Sequence, residues 1–490
     1  MPGLDWQCIL VDFLPKTNPF KHQAESIDTT WGKPGHGLLW DQGLGKSKVV
    51  IDTAAKLRLA DKIDAVFILA PNGVHHNWHY DEFPTHMTDQ VKYACYSFDS
   101  SKAGSQKAKR ALKAAFEYKG LLAMTMTYGG IMTEKGRAAA KQLLTTRRCL
   151  FVCDESHYIK TPGAKRTKRI LAASKLAPYR RILTGTPISL GPFDIYSQIR
   201  FIYPDFWKEK GIHSFHEFKL TFGVFRPAPF SQIGQLVGYK NVDTLKEYVA
   251  SCTQRLKKVD VLDLPEKLYT KRYFDMTPSQ WKAYNEIQSN KETILPTGDL
   301  VETELPIVRD LRLQQITCNY LPTGDDKDLH FFGDKNPRLE ALREITDSLY
   351  TPCVIWSRFT KDIDLICQML GDKAVRYDGR MSVDEKLESK RAFKAGEAQF
   401  MVANQACGAE GNTWTNADTM IYYCNNFNLV HRLQSEDRIH RIGQTKNVTY
   451  IDLVCKGTIC EDRVMASLSK KKDLSDQVTG DKGDEWLSNH

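Results

Sequence analysis

The segment Leu38-Leu39-Trp40-Asp41-Gln42-Gly43-Leu44-Gly45-Lys46-Ser47 carries the residue types that a phosphate site requires. Glycines let a backbone turn tightly enough for its N–H groups to face phosphate oxygens. Lys46 would reach the outer phosphates of a nucleotide, and the Ser47 hydroxyl would hold Mg²⁺. The strict form of the pattern has glycine five residues before Gly45, where this chain has Trp40, so a chance Gly-Lys-Ser turn stays open on this segment alone. About a hundred residues later the apolar run Cys149–Cys153 ends in Asp154-Glu155-Ser156-His157. Acids at the carboxyl end of a buried parallel strand lie where such sheets bind ligands. Asp154 would hold Mg²⁺ directly or through water, and Glu155 would polarise an attacking water as general base. A solvated acidic turn is the alternative. Gln23, about twenty residues before the loop, carries an amide able to read an adenine edge by donating and accepting.

These residues need a scaffold that brings strand ends together. Apolar runs at Ala65–Ala70, Leu121–Met126, Cys149–Cys153 and Arg181–Leu183 read as buried strands. A second group follows at Cys353–Trp356, Lys373–Tyr377, Phe400–Ala403, Met420–Tyr423 and Val448–Val454. Helix-patterned segments lie between them, at Lys48–Leu59, Ala164–Ala173, Lys361–Leu370 and Val383–Ala395. Strands alternating with helices predict an α/β protein of two doubly wound parallel-sheet lobes. The middle stretch is less regular. It predicts loops at Phe222–Phe230 and helices at Pro278–Gln288 and Leu305–Thr317. The expected division is an N-terminal extension (1–17), a first lobe (18–203), an insertion and connector (204–335), a second lobe (336–470) and a tail (471–490).

Composition adds bounds. A chain of 490 residues, 42% hydrophobic, can build two or three domains with their own cores. Its net charge of +9 permits a polyanionic partner without demanding one. Two basic stretches stand out: Lys102, Lys107, Lys109, Arg110 and Lys113, and then Lys165, Arg166, Lys168 and Arg169. Each reads either as a solvated helix face or as a nucleic-acid contact. No apolar run approaches the roughly 18 residues of a membrane span, and the first residues lack the pattern of a secretion signal. The twelve cysteines are scattered without a Cys-x-x-Cys pair, which argues against zinc and for free thiols in a reducing compartment.

Taken in order, these segments resemble the superfamily 2 helicases, and among them the Swi/Snf-like DNA translocases, over about residues 18 to 470. Asp41 to Ser47 resembles that family's Asp-Glu-x-Gly-Leu-Gly-Lys-Thr loop, which itself lacks the first glycine. Asp154-Glu155-Ser156-His157 is similar to its Asp-Glu-x-His box. Ile68-Leu69-Ala70-Pro71 with Asn77-Trp78 and Glu82-Phe83, Thr125 to Tyr128, and Leu183-Thr184-Gly185-Thr186-Pro187 resemble its next three motifs, the last being the coupling motif whose hydroxyls would link the ATP site to the DNA path. In the second half, Val354 to Phe359, Tyr377-Asp378-Gly379-Arg380, and Gly408-Ala409-Glu410-Gly411 with Thr415 to Asp418 follow in place. The last of these departs from the family at Asn404, Gln405, Glu410 and Thr413. Gln434-Ser435-Glu436-Asp437-Arg438-Ile439-His440-Arg441-Ile442-Gly443-Gln444 is the fullest match. On a helix, Gln434, Arg438 and Arg441 would share one face.

The resemblance implies two RecA-like lobes and ATP with Mg²⁺ as cofactors. Gln23, Gln42, Gly43, Leu44, Gly45, Lys46, Ser47 and Gln434 would bind the nucleotide. Lys46, Asp154, Glu155, Arg438 and Arg441 would carry catalysis, the two arginines as fingers from the second lobe, and Ser47 and Asp154 would ligate the metal. Pro71, Asn72, Thr127, Thr184, Ser357, Arg358, Gly408 and Thr415 would meet DNA. The expected partner is duplex or branched DNA, read without sequence preference, with replication or recombination proteins nearby and no membrane. A compact bacterial or viral enzyme working in the cytoplasm is expected, or a nuclear one in a eukaryote. Translocation on duplex DNA, strand separation on DNA or RNA with the same engine, and a non-catalytic nucleic-acid scaffold are the competing readings.

Overall fold

The computed structural model describes residues 12–72, 74–228, 234–323, 328–408, 413–479 and 481. Two compact units divide the chain. One runs to Leu262 and takes in residues from Lys471 on; the other runs from Asp263 to Lys470.

The first unit is built on a sheet of seven strands: β1 (Gly35–Trp40), β2 (Ala65–Ala70), β3 (Tyr93–Phe98), β4 (Leu121–Thr127), β5 (Cys149–Asp154), β6 (Tyr179–Leu183) and β7 (Thr253–Leu256). Their order is β3-β4-β2-β5-β6-β1-β7, and every pairing is parallel. Runs such as Ala65–Ala70 form the centre because both faces of a parallel sheet are covered, so neither set of alternating side chains meets water. Val66, Ile68 and Ala70 pack against Val49, Val50, Ile51 and Ala54 on one face. Ala65, Phe67 and Leu69 pack in the other core with Leu143, Ile199 and Trp207. Two helices matter for the site, α1 (Lys21–Thr30) and α2 (Lys46–Leu59), and they pack on each other. A third, α3 (Lys165–Ser174), carries the second basic stretch. The first basic stretch lies largely on the helix Gln106–Glu117, which has no buried residue.

The second unit holds a six-stranded parallel sheet: β8 (Lys267–Phe274), β9 (Cys353–Ser357), β10 (Ala374–Tyr377), β11 (Phe400–Asn404), β12 (Thr419–Tyr422) and β13 (Val448–Cys455). The order is β8-β13-β12-β9-β11-β10. Here too alternate residues split between two cores, Ile355 and Val402 in one, Val354 and Met401 in the other.

The expected α/β class with two parallel sheets is what the structure has. Four strands had no strong sequence signal. β1 is Gly-His-Gly-Leu-Leu-Trp, and its glycines are needed because a side chain at Gly35 would collide with the carbonyl of Ile202. β3 is a half-buried edge. β7 and β8 are polar edge strands from the stretch expected to be connector, and that stretch supplies one strand to each sheet. The unit division at Leu262 and Asp263 also falls inside it. The loops expected over Phe222–Phe230 include a strand instead: Gly223–Arg226 pairs antiparallel with Gln235–Tyr239. Residues 471–479, expected as tail, continue the helix Ile459–Thr479.

Candidate functional site: a glycine loop and two acids on the first unit

In the first sheet β2, β5, β6 and β1 are consecutive. Their carboxyl ends at Ala70, Asp154, Leu183 and Trp40 therefore lie side by side, which gathers four distant sequence segments at one edge. After Trp40 the chain turns through Gly43 (φ 84°) and Gly45 (φ 78°) into α2, with Gly45 as the residue capping its start. Positive φ suits glycine, and a side chain at Gly45 would also strike the Gln23 amide. The first residue of α2 is Lys46 and the second Ser47, so the start of a fourteen-residue helix carries both groups. Lys46 Nζ donates to the carbonyls of Trp40 (2.8 Å) and Asp41 (3.0 Å) and so curls over the loop.

The loop is braced from outside its own sequence. Asp41 pairs with Arg255 of β7 at 2.9 Å and accepts from the Lys258 backbone N–H at 3.1 Å. From α1, His22 and Gln23 each bond to the Leu44 carbonyl at 3.1 Å. The Gln23 carbonyl oxygen accepts from the Phe20 backbone N–H at 3.0 Å. The amide expected to read adenine is thus engaged at both ends with backbone, which leaves one amide hydrogen uncommitted by these bonds.

Glu155 lies beside the loop. Its backbone takes φ 53°, a left-handed conformation that costs a non-glycine residue on the order of 1–3 kcal/mol. One carboxylate oxygen accepts from Gln42 Nε2 at 3.1 Å. The other accepts from the Thr184 hydroxyl at 3.2 Å and lies 3.3 Å from His157 Nδ1. Burial opposes ionisation of Glu155, but His157, Lys46 and Thr184 outweigh it and hold the carboxyl below its ordinary range. Asp154 is held differently. Its Oδ2 accepts from the Trp78 indole N–H at 2.8 Å, its Oδ1 from the Glu155 backbone N–H at 3.0 Å. Burial, with the Glu155 charge adding to it, pushes the Asp154 carboxyl above its ordinary range. Two neighbouring acids sunk in a low-dielectric edge suit a divalent cation, and a carboxylate with a serine hydroxyl is an all-oxygen donor set of the kind Mg²⁺ takes. Asp154 and Ser47 are the residues that would hold it.

Among the residues expected to contact DNA, Asn72 is exposed and Pro71 and Thr127 are partly so. The Thr127 hydroxyl accepts from the Gly130 backbone N–H at 2.8 Å. Thr184 is different: it is fully buried and donates its hydroxyl to Glu155, beside the glycine loop.

The second unit corrects two further expectations. Ser357 is fully buried and donates to Asp362 at 2.6 Å, so its hydroxyl supports the core. Arg358 is partly exposed and donates to Gln314; Thr415 is partly exposed. Gly408 ends the short helix Gln405–Gly408, and the expected Ala409, Glu410 and Gly411 lie outside the described residues. The helix expected through Arg441 stops early. The helix α4 spans Leu429–Glu436, and Asp437 to Arg441 continue as turns. There the Glu436 carbonyl accepts from the Tyr450 hydroxyl of β13 at 3.1 Å as well as from the backbone N–H groups of Ile439 and His440. Gly443 (φ 99°) and Gln444, whose amide binds the carbonyls of Ala417 and Ile439, then hold the turn. Gln434, Arg438 and Arg441 therefore do not share one helix face. Gln434 and Arg438 are buried, and Arg441 is partly exposed.

A model of the SNF2-related domain matches residues 26–320, more than half the chain, and one of the helicase conserved C-terminal domain matches residues 337–443. The chain belongs to the SNF2-related family. Among its relatives is the ATP-dependent helicase brm of Drosophila melanogaster, 24% identical over 90% of this chain and 28% of that protein. Another is the SWI/SNF-related matrix-associated actin-dependent regulator of chromatin subfamily A-like protein 1 of Xenopus tropicalis, 24% identical over 91% of this chain and 44% of its own. The chain thus spans less than half the length of either. Among solved structures, the SWI2/SNF2 ATPase core of Sulfolobus solfataricus in complex with dsDNA is 22% identical, with 96% and 95% of the two chains covered and a TM-score of 0.42.

Several residues that brace the two units of this SNF2-related chain carry no clear sequence signal. Arg255 and Lys258 lie in the supposed connector, with no local signal for a partner two hundred residues away. Arg432 is buried in the second unit, bonded to Asp452, Glu436 and Asn425, with its guanidinium 3.4 Å from the Tyr422 ring centre. Its spacing of four from Glu436 on one helix was the available clue.

Proposed function

We propose that this protein hydrolyses ATP and uses the cycle to move along double-stranded or branched DNA without regard to sequence. The observation that carries this reading is Glu155, held on one oxygen by Gln42 of the glycine loop and on the other by Thr184. A carboxylate kept ionised, with both oxygens oriented beside a phosphate loop, is what a base for the attacking water needs. Lys46, now resting on the Trp40 and Asp41 carbonyls, would exchange those weak acceptors for phosphate oxygens. Mg²⁺ would supply charge neutralisation at those oxygens, held through Asp154 and Ser47. Arg438 and Arg441 of the second unit are the cations we assign to the transferred phosphate.

Family membership supports DNA as the track. So do the exposed Lys165 and Lys168 on α3 and the exposed Asn72 that follows β2. Such contacts go to the backbone, so binding should be blind to sequence and weaken steeply with salt. The deciding experiment measures phosphate release with single-stranded, duplex, forked and four-way DNA and with RNA, beside strand displacement on a plain duplex. Duplex or branched DNA should stimulate turnover without separating the duplex, and Lys46→Ala should be inactive on every substrate. Equal stimulation by RNA, or turnover by Lys46→Ala, would refute the proposal.

A further inference from the structure

Trp78 opens a single π-helical turn, Trp78–Glu82, which the Phe83 backbone N–H closes by donating to the Trp78 carbonyl. Such turns insert one extra residue into a helix and occur frequently at functional sites. Only 1% of Trp78 is exposed, and its indole N–H donates to Oδ2 of Asp154 at 2.8 Å. An indole can only donate, so the bond requires the carboxylate as acceptor. With the Glu155 backbone N–H on Oδ1, Asp154 has one donor on each oxygen, which sets the rotation of the carboxylate plane.

Burial alone does not demand this bond. The indole N–H groups of Trp40, Trp356 and Trp414 are buried without a hydrogen-bond partner among the described residues. At Trp78 the backbone departs from α-helical register and the N–H meets the one carboxylate that the phosphate site would offer to a metal.

We propose that Trp78 is a positioning residue for the divalent cation that accompanies the nucleotide: its indole N–H orients Asp154 so that the remaining lone pairs face the cation. The proposal rests on the ATP-site reading above. Groups that orient a metal ligand typically contribute about 10–100-fold to metal affinity.

The test uses the full chain and Mn²⁺ as probe, with the bound fraction read by the loss of the free-ion EPR signal in the presence of ADP. Trp78→Phe keeps an aromatic ring and removes the N–H. It should weaken Mn²⁺ binding by about 10–100-fold while ADP binding in EDTA is unchanged. ATPase activity should recover as metal is raised, with kcat nearly restored. Phe83→Leu is the packing control: Phe83 lies 6.2 Å from the Trp78 ring and its truncation leaves the N–H in place. If Trp78→Phe lowers the urea midpoint, benzothienylalanine at position 78, isosteric but without the N–H, replaces it in the same comparison. Unchanged Mn²⁺ affinity, or an equal loss in Phe83→Leu, would overturn the positioning role and leave the ATP site standing. Wild-type protein that binds neither ADP nor Mn²⁺ would remove the ATP-site reading and this proposal with it.

Discussion

His36 sits in β1, the strand that leads into the glycine loop, and a mild acid challenge should act through it. It is 5% exposed, and neither ring nitrogen has a hydrogen-bond partner among the described residues. Burial first, then the charges of Arg181 and Lys33, lower its pKa from 6.5 to about 3. The folded state therefore holds the neutral ring. This contribution to stability is present above the unfolded value and is lost as pH falls from about 6.5 towards 3. A fall of about 3.5 units corresponds to roughly 5 kcal/mol at full protonation, and about 2 kcal/mol of it is already lost at pH 5. Replacing His36 by Leu, of similar volume and no charge, should remove that loss. Urea midpoints of wild type and His36→Leu, taken at pH 7.5 and pH 5, give the measurement, because other titrating groups cancel in the difference between the two proteins. The wild type should lose roughly 2 kcal/mol more than the variant. Equal losses in the two proteins would show that the ring titrates without cost, and the reasoning would be refuted.

Glu155→Gln keeps the side chain's length but cannot accept a proton, so ATP should bind while turnover falls by about 10²–10⁴-fold; a loss under about tenfold in single-turnover hydrolysis would remove Glu155 as base. Arg441→Ala should cut DNA-stimulated turnover by at least about a hundredfold with ATP binding preserved; a filter-binding assay beside phosphate release separates the two, and a loss of about tenfold or less would deny the finger role.

Much of the candidate site was legible because its chemistry is local. A glycine loop opening a helix, and acids ending an apolar strand, are set by residue type and short spacing. So were the central strands of both sheets, whose continuous apolar runs answer to burial on two faces. Backbone geometry and pairing across long separations were not legible. Nothing near Arg255 announces Asp41, and nothing near Trp78 announces Asp154, because each pair meets only when distant strands align. Thr184 is expected to meet DNA, and it donates to Glu155 because β6 lies between β5 and β1. The helix through Arg441 fitted its periodicity, yet it ends at Glu436, where the Tyr450 hydroxyl arrives from another strand. What the sequence determined by itself was the glycine loop, the paired acids and the sheets that carry them. Which donors orient each carboxylate, and where each helix stops, only the tertiary structure decided, since a hydrogen bond depends on angles and distances that no residue type specifies.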